Sequence, residues 1–380
     1  MRILHCCLSC YYVDNYGYQE NYLPICHQND GHDVLIIAST ETFIDGKLDY
    51  KEPAIYKTET GIPIIRLPYC KLLPHSISKR VRHYPGLLRH ITAFMPDVIL
   101  FHGSCALDIV VVSHYVKYHP GVKMYVDSHE ALYNSAKGFI SKNILHKCFY
   151  RFFYWIARKH IEKTFYVGAS ERDYMISIMG ETEDRLEFFP LGGFPISHEE
   201  KIAKRTTVWE NHGYNRESIL FVHSGKFDND KKTLELLRAF SEVKDERFQL
   251  IIIGKPSTEI LEEFSVLVAR DNRINYLGWK LPEDLQIYLA AAHFYLQPGS
   301  VSATLQQAIC AGTAVLIYPH ESYDVYVKEN GVKVKDYEGI KSFFSSVSLN
   351  EYNIEEMSKA SFYYAQNILD YRILAQRVYH

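Results

Sequence analysis

The sequence predicts an α/β protein that consists of two doubly wound halves. Short runs of β-forming, apolar residues alternate with helical or turn-rich segments along nearly the whole chain. These runs are continuously apolar, which is typical of parallel strands that helices cover on both faces. The alternation stops at a polar, charged stretch, 198–216, and then starts again, and 380 residues exceed the usual size of a single core.

The predicted strands follow one another in two series. The strands of the first half are expected at 2–8, 33–39, 62–67, 97–101, 123–126, 164–167 and 186–189. The strands of the second half are expected at 218–223, 248–253, 274–277, 293–297, 314–318 and 331–334. We therefore predict an N-terminal domain, 1–195, a C-terminal domain, 196–365, and a last helix, 366–380, that packs back toward the N-terminal domain.

Composition and charge exclude several classes of function. The formal net charge of -3 gives no general reason to expect nucleic-acid binding. No apolar run reaches the roughly 18 residues of a membrane span, and the first residues lack the features of a signal peptide, so we expect a cytoplasmic protein. The 8 cysteines show no framework spacing, and Cys7 and Cys10 would form only half of a zinc site. We expect neither a metal nor a cofactor.

Two lysines follow the first strand of the second half. In a doubly wound sheet, ligands bind beyond the carboxyl ends of the strands, so the residues just after each run are informative. Here the strand ends at Gly225, and Lys226 and Lys231 follow it five residues apart. Such a pair of flexible cations is able to bind a phosphate, and the alternative is a solvated turn of mixed charge.

A second candidate segment follows the strand at 293–297. After a Pro-Gly turn, Ser302, Ala303 and Thr304 begin a predicted helix, which Gly312 ends. Free N–H groups and hydroxyls at a helix start favour an anion. The alternative is that Ser302 is simply the N-cap of this helix.

Two further strand ends lie on the same predicted edge. Gly254 ends one strand, and Trp279 follows the end of the next. An aromatic ring beside free backbone groups suits a nucleobase. A tryptophan is also commonly a packing residue, and both alternatives stay open.

These residues, in this order, resemble the C-terminal domain of GT-B glycosyltransferases, and most closely the retaining enzymes of glycosyltransferase family 4, also called group 1. The resemblance rests on the strand-Gly-Lys226-x4-Lys231-helix pattern, on Gly254 and Gly278, and on "AAAHFYLQP" and "ATLQQAICAGTAVLI". The first half is similar through "NDGHDVLIIAS", "YVDSHE", "YVGAS" and "FFPLGGF". The resemblance implies two Rossmann-like domains that face a cleft, with a nucleotide-sugar donor on the C-terminal domain and the acceptor on the N-terminal one.

The resemblance also implies roles for residues of the second half. Lys226 and Lys231 match the basic pair that holds the donor diphosphate, with the helix start at 302–304 beside it, so the family needs no metal. The family commonly has two glutamates eight residues apart; here their places fall on Gly299 and Gln307. Gln307 is still able to hydrogen-bond a ribose hydroxyl.

In the first half, His129 matches a family histidine that contacts the transferred sugar or the diphosphate. Glu130 beside it and His102 after the preceding strand are candidates for the acceptor or sugar side. Gly17 is expected to let the first loop approach the donor, because glycine accepts a positive φ. A purely structural role is the alternative for each histidine.

The implied activity is that of a hexosyltransferase that uses a UDP- or GDP-type sugar donor. The acceptor would be a glycan or a lipid-linked glycan in cell-surface polysaccharide synthesis, and the reaction would retain the anomeric configuration. One alternative is a nucleotide-sugar 2-epimerase of the same fold, which needs acid and base carboxylates in its site. Another is a degenerate, non-catalytic subunit, which the two missing glutamates suggest.

The segment 137–163 interleaves lysine and arginine with phenylalanine, tyrosine and tryptophan. This mixture favours a helix at an anionic membrane surface, which would place the protein at the inner face of the membrane. A second basic stretch, 79–83, agrees with that interpretation. The alternative is a helix that packs its aromatic face on the N-terminal sheet.

Overall fold

The computed structural model describes residues 1–44, 47–300 and 302–379. Its contacts divide the chain into two compact units, which we call the N-terminal unit (Met1–Pro190 with Tyr371–His380) and the C-terminal unit (Leu191–Asp370). The domain limits 1–195, 196–365 and 366–380 stay predictions.

The N-terminal unit is built on an eight-stranded sheet. Its strands and those of a small separate hairpin are β1 (Arg2–Cys7), β2 (Asp33–Ser39), β3 (Glu41–Ile44), β4 (Lys47–Tyr50), β5 (Ile55–Lys57), β6 (Pro63–Leu67), β7 (Val98–His102), β8 (Lys123–Ser128), β9 (Lys163–Tyr166) and β10 (Leu186–Phe188). The order across the sheet is β10-β9-β8-β7-β1-β2-β6-β5, and every pair is parallel except β5 with β6. Strands β3 and β4 pair only with each other.

Helices connect these strands and cover the sheet. They are α1 (Gln19–Asn29), α2 (His75–Val81), α3 (Leu87–Phe94), α4 (Ile109–Tyr118), a π-helix (Ser141–Tyr150) that continues into α5 (Arg151–Ala157), and α6 (Ala169–Tyr174) with a π-helical end (Met175–Met179). Short 3₁₀ turns lie at Arg158–His160 and Glu183–Arg185. None of the helices in the described part of the chain is both long enough and apolar enough to cross a bilayer.

The C-terminal unit contains a six-stranded, fully parallel sheet. Its strands are β11 (Ile219–Phe227), β12 (Phe248–Pro256), β13 (Ile274–Tyr276), β14 (Phe294–Gln297), β15 (Ala314–Ile317) and β16 (Gly331–Lys333), in the order β13-β12-β11-β14-β15-β16. Its helices are α7 (His198–His212), α8 (Thr233–Glu242), α9 (Leu261–Arg270), α10 (Pro282–Ala291), α11 (Thr304–Cys310), α12 (Tyr337–Ser348) and α13 (Ile354–Tyr364). Short turns of 3₁₀ or π type lie at Asn229–Lys231, Glu321–Tyr323 and Ala365–Leu369.

The last helix, α14 (Tyr371–Gln376), packs in the N-terminal unit. Leu374 and Ala375 are buried with Leu23 and Cys26 of α1 in one apolar cluster. Burying a leucine side chain contributes about 1.5–3 kcal/mol, so this contact anchors the end of the chain.

All the predicted strands are present, and the structure adds three that the sequence pattern did not indicate. Strand β4 is exposed along its whole length, and β5 is mostly exposed, so neither has a continuous apolar run. Strand β5 is antiparallel because only the short turn 58–62 joins it to β6, whereas a parallel crossover needs a dozen residues or more.

A buried lysine joins three elements of the C-terminal unit. Lys201 of α7 is 4% exposed, and its Nζ donates to the carbonyl oxygens of Ala290 and Ala311, both at 3.0 Å, and to Thr313 Oγ1 at 3.0 Å. These carbonyls follow or end α10 and α11, where helices leave acceptors without intrahelical donors. Lys201 thus ties the ends of two helices to α7.

We predict that Lys201→Met destabilises the protein by about 2 kcal/mol, because it leaves buried carbonyl groups without a donor. The control is Lys204→Met on the same helix, which removes only an ion pair with Glu200 and should cost about 0.5 kcal/mol or less. Urea unfolding followed by circular dichroism measures both. Equal losses in the two variants would contradict the structural role of Lys201.

Candidate functional site

The topology of the C-terminal sheet defines where its ligand binds. Strand order reverses between β11 and β14, because the chain winds outward from β11 in one direction and then from β14 in the other. Ligands of doubly wound sheets bind beyond the carboxyl edge at such a reversal. Here the loops after β11 and β14 pack against each other through Asp230, Gly299 and Ser300. All the candidate residues of the second half lie on this edge.

Lys226 has a neighbour that sequence reasoning missed. Strands β11 and β12 pair in register so that Gly225 lies opposite Gly254 and Lys226 opposite Lys255. Both lysines are exposed, and neither has a hydrogen-bond or ion-pair partner among the described residues. Like charges on adjacent strands, about 4.8 Å apart, repel each other. The pair therefore favours an anion between them.

The two glycines make this close pairing possible. Gly225 has φ 136° and Gly254 has φ 156°, and a Cβ on Gly254 would lie 1.9 Å from the carbonyl oxygen of Gly225. Both were predicted to approach the donor. The structure shows that they also let two strands carry lysines side by side, and the repeated Gly-Lys dipeptide was the signal for Lys255.

Lys231 has a different environment from Lys226. It is 8% exposed, and its Nζ donates to the carbonyl oxygen of Ser300 at 3.2 Å, while Ser300 N–H donates to Asp230 O at 2.9 Å. Burial lowers the pKa of Lys231, and the Asp228 carboxylate opposes that effect. The predicted basic pair thus consists of one exposed cation and one that also holds the 298–300 turn in place.

Gly299 packs directly on this turn. A Cβ at Gly299 would lie 2.1 Å from the carbonyl oxygen of Asp230 and 2.5 Å from the carbonyl carbon of Lys231. No side chain fits there unless the backbone moves. The place at which the resemblance puts the first family glutamate, at about residue 299, therefore has no room for a side chain.

Four hydroxyl groups lie close together where β11, β14 and the start of α11 meet. The Ser224 and Tyr295 hydroxyls lie 3.3 Å apart, and Ser302 Oγ donates to Thr304 Oγ1 at 3.3 Å. Burial raises the pKa of Tyr295 to about 12, and hydrogen bonds from Ser224, Thr304 and Ser302 oppose that rise. Tyr295 and Ser224 were missed because they lie inside apolar strands.

The predicted helix start is displaced. Helix α11 begins at Thr304 and not at Ser302, and it contains only 7 residues, so its dipole is small. Ala303 is exposed as the N-cap, Gln307 is half-buried on the helix, and Val301 lies outside the described residues.

Trp279 lies on the loop after β13 and is 60% exposed, so it is not a core residue. The loop is tied to the glycine pair, since Gly254 N–H donates to Gly278 O at 2.9 Å. The exposed indole is thus at the same carboxyl edge as Lys255.

In the N-terminal unit, Asp127 at the end of β8 joins two histidines. Asp127 Oδ2 lies 2.5 Å from His102 Nδ1, and Asp127 Oδ1 accepts from Gly103 N–H at 2.8 Å. Asp127 Oδ1 also lies 3.7 Å from His129 Nε2, which is an ion-pair distance but too long for a hydrogen bond. His102 is fully buried, whereas the His129 side chain is 27% exposed.

The charges of this group follow from Asp127. Burial alone would lower the pKa of His102, but the Asp127 carboxylate outweighs it and raises that pKa to about 9. Asp127 likewise outweighs the effect of burial on His129 and raises the pKa of His129 to about 10. Burial would raise the pKa of Asp127, yet His102 and His129 hold it well below its usual range. A carboxylate therefore lies between two imidazolium rings.

Glu130 and Gly17 have environments that differ from the expected ones. Glu130 is 7% exposed and accepts hydrogen bonds from Ser104 N–H at 3.0 Å and from Ser128 Oγ at 3.1 Å, so it organises the loops after β7 and β8. Gly17 does not have a positive φ; the left-handed residue of its loop is Asn15, at φ 56°. The expected positive φ at Gly17 was therefore wrong, whereas the approach of this loop to the donor stays a prediction.

Comparison with known proteins identifies a family for the C-terminal unit. Residues 205–361 match the model of the glycosyl transferases group 1. The sequence has no significant match among curated proteins.

Several solved structures are similar over the whole chain. HepE of Anabaena in complex with UDP has a TM-score of 0.68 at 14% identity, over 100% of this chain and 98% of that one. Sucrose-phosphate synthase of Thermosynechococcus elongatus has a TM-score of 0.65 at 13% identity, over 99% and 96%. WaaG, a glycosyltransferase involved in lipopolysaccharide biosynthesis, has a TM-score of 0.61 at 15% identity, over 99% of both chains.

These findings confirm the predicted fold class, a GT-B architecture of two Rossmann-like domains. The family-model match over residues 205–361 also confirms the resemblance to group 1 glycosyl transferases and the predicted enzyme class, glycosyltransferase. The individual site residues stay predictions.

We predict that Asp127 makes stability fall with rising pH. The folded-state pKa values of His102 and His129 lie above the unfolded value of about 6.5, so their contribution to the free energy of unfolding is complete below pH 6.5. It is lost as the pH rises to about 9 for His102 and to about 10 for His129. Asp127→Asn removes this contribution. The stability gap between wild type and variant should narrow by about 1.4 kcal/mol per pH unit for each histidine.

Urea unfolding between pH 7 and 10 tests this dependence. The matched control is Asp97→Asn, which removes an acceptor of Arg2 N–H and not a histidine partner. The difference in unfolding free energy between wild type and Asp97→Asn should therefore stay constant with pH. A constant gap for Asp127→Asn would show that the two histidines are not held protonated.

Proposed function

We propose, from the premise that residues 205–361 form a group 1 glycosyl transferase domain, that the protein moves a sugar from a UDP- or GDP-type donor to a glycan or lipid-linked glycan. The single observation that carries this proposal is the lysine pair Lys226 and Lys255, exposed without a counter-ion at the carboxyl edge beside the strand-order reversal. The proposed pathway is cell-surface polysaccharide synthesis.

The lysines would act on the leaving group. Transfer breaks the bond between the anomeric carbon and the diphosphate oxygen, so negative charge develops on the nucleoside diphosphate. Ammonium groups of Lys226 and Lys255 at that position stabilise this charge, with Lys231 holding the turn beside them. They supply the positive charge that other transferases obtain from a metal ion, which supports a metal-independent reaction. The similar protein HepE binds UDP and UDP-glucose.

The remaining candidates of the C-terminal unit would contact the rest of the donor. Gln307 and the Thr304 hydroxyl suit ribose or sugar hydroxyls, because both groups accept and donate hydrogen bonds. The exposed Trp279 ring suits stacking against a nucleobase. In the N-terminal unit, we assign His129 as a charged N–H donor to substrate. Retention of the anomeric configuration is proposed from the family resemblance alone.

Exposed aromatic rings support a glycan acceptor. They lie on the loop after β1 and on strand β3, both of which follow strand ends at the carboxyl edge of the N-terminal sheet. They include Tyr11 in edge contact with Phe43 and Tyr16 in contact with Tyr18. A cluster of exposed apolar rings on a soluble surface commonly marks a ligand site, and ring faces suit the apolar faces of sugars. The similar protein WaaG is involved in lipopolysaccharide biosynthesis.

One stripe of side chains supports contact with a lipid surface. From the N-cap of the π-helix to α5, four apolar side chains are 57–71% exposed at spacings of about one or two turns: Ile140, Ile144, Phe152 and Trp155. Exposed Lys147 and Lys159 lie in the same stretch. Apolar side chains interleaved with lysines are typical of helices that lie on anionic membranes. We define these six residues as the apolar-basic stripe.

A non-catalytic subunit is the second candidate function, and Gly299 favours it. The packed turn excludes a side chain where the family has a glutamate, so one family contact to the donor cannot form. Such a subunit would still bind the nucleoside diphosphate but would transfer no sugar. The 2-epimerase alternative has no comparable support.

We predict that Lys226→Ala and Lys255→Ala each raise the Kd for a nucleoside diphosphate about tenfold, since each removes one charged contact. Calorimetry with UDP, GDP and ADP measures this and identifies the base. The matched control is Lys244→Ala, because Lys244 precedes β12 at the opposite end of the sheet. Unchanged affinity for the nucleoside diphosphate in both Lys226→Ala and Lys255→Ala would contradict the assignment of this edge as the donor site.

Turnover separates the candidate functions. Labelled UDP- or GDP-sugar incubated with membrane extract should yield labelled glycan or lipid. Conversion of UDP-N-acetylglucosamine to an epimer without acceptor, detected by NMR, would instead establish the epimerase. Diphosphate binding without transfer to any extract would establish the subunit.

We predict that the double variant Phe152→Ser with Trp155→Ser lowers binding to vesicles that contain phosphatidylglycerol by tenfold or more, since each buried ring contributes about 1.5–3 kcal/mol. Flotation measures the bound fraction. The control is Tyr118→Ser, an equally exposed aromatic residue outside the apolar-basic stripe. Wild-type protein that floats with neither anionic nor zwitterionic vesicles would contradict the membrane contact.

A further inference from the structure

Two buried histidines outside the candidate site extend its hydrogen bonds through the N-terminal unit. His102 Nε2 lies 2.9 Å from His5 Nδ1, and His5 Nε2 lies 2.9 Å from His27 Nδ1. His27 Nε2 lies 3.0 Å from the carbonyl oxygen of Ala375 in α14. All three rings are 0% exposed. We call Asp127, His102, His5, His27 and the Ala375 carbonyl the histidine chain.

The carbonyl at the end sets the direction of every hydrogen bond in the chain. A carbonyl oxygen only accepts, so His27 Nε2 must carry a proton. Burial lowers the pKa of His27 to about 4, so this ring is neutral and its Nδ1 accepts from His5 Nε2–H. Burial, with His27 and His102, lowers the pKa of His5 as well, so His5 Nδ1 accepts from His102 Nε2–H.

The same argument fixes the charge of His102. Its Nε2 carries a proton for His5, and its Nδ1 faces a carboxylate oxygen that needs a donor. Both nitrogens are therefore protonated, and His102 is an imidazolium. The other charged groups that face the histidine chain are consistent with one positive charge on His102. Glu20 raises the pKa of His102. Asp30 raises the pKa of His27 and His32 lowers it, so their effects on His27 oppose each other. Cys7 also faces His102.

We propose that His5 and His27 are positioning residues for the substrate site, because they determine which nitrogens of His102 carry protons and so hold Asp127 as an oriented carboxylate beside His129. Asp127 then uses Oδ2 for His102 and Oδ1 for Gly103 N–H, with Oδ1 also facing His129 Nε2. The other ring nitrogen of His129, Nδ1, is left to donate to a ligand. The contact between His129 and substrate rests on the proposed function, whereas the orientation of Asp127 does not.

Ring packing alone does not explain this arrangement. His5 stacks on His102 with ring centroids 5.2 Å apart, but a phenylalanine would fill such a space without the cost of burying polar nitrogens. Instead, every nitrogen of the three rings has a partner within hydrogen-bond distance. Fully satisfied buried networks of this kind specify one arrangement of protons.

The protonation states are measured directly by NMR of the full chain with ¹⁵N-labelled histidine, without substrate, at about pH 7.5. We expect His102 to be protonated on both nitrogens and His5 and His27 to be neutral with the proton on Nε2. In His5→Leu, His102 Nε2–H loses its acceptor, so the pKa of His102 should fall below its wild-type value. In His5→Gln, the amide accepts from His102 and donates to His27, so His102 should stay doubly protonated.

Two further variants keep this test decisive. His146→Leu removes another buried histidine of the same unit, which contacts Tyr174 and lies outside the chain, and it should leave the His102 signals unchanged. If His5→Leu does not fold, His27→Leu interrupts the chain at its other end and should release His5 from its single tautomer. A neutral His102 in the wild type, or a pKa of His102 that is unchanged in His5→Leu, would overturn the proposal.

Transfer kinetics then separate this proposal from the proposed function. Misplacing a substrate contact costs about ten- to a hundredfold in rate, so His5→Leu should lower kcat by that factor with KM for the donor little changed, and His5→Gln should restore it. If the NMR results are as expected but kcat is unchanged, the positioning of Asp127 holds and the assignment of His129 to substrate fails.

Discussion

Both units depend on one constraint, the reversal of strand order in a parallel sheet. All parallel strands of such a sheet end at the same edge, and ligands bind beyond that edge at the reversal. In the C-terminal unit the reversal lies between β11 and β14, and in the N-terminal unit it lies between β1 and β7. Every candidate residue is on, or just after, a strand end or loop at such an edge. The apolar strands thus place polar groups that local sequence alone could not bring together.

The sequence predicts the buried elements, because burial leaves a pattern of apolar residues. Strands such as β11, covered on both faces, appear as continuous apolar runs and were all found, whereas exposed β4 leaves no such signal. Lys226 was found because it follows the predicted apolar run, although β11 extends to Phe227 and includes it. Lys255 required the register of β11 with β12. His5 lies within an apolar run, and its partners His27 and His102 are 22 and 97 residues away. No local pattern encodes such a chain.

The charged groups of the two candidate sites differ in their exposure to solvent. Lys226 and Lys255 stay in water, where an ammonium group costs little to keep charged and remains available to an anion. Asp127 is buried, so its charge must be compensated by His102, His129 and a backbone N–H. The first arrangement is suited to capture a charged ligand. The second is suited to hold one donor group in a fixed position, because every proton in it is already assigned.

The turn at Gly299 shows why a departure from a family pattern involves more than one residue. Ser300 donates to Asp230 and accepts from Lys231, and this is possible only because Gly299 lies against the backbone of both residues. A glutamate at 299 would collide with Asp230 and separate Ser300 from Lys231. Gly299 and the buried Lys231 therefore depend on each other. In the proposed function, a neutral group replaces the family carboxylate, and Gln307 on the adjacent helix α11 has the chemistry to do so.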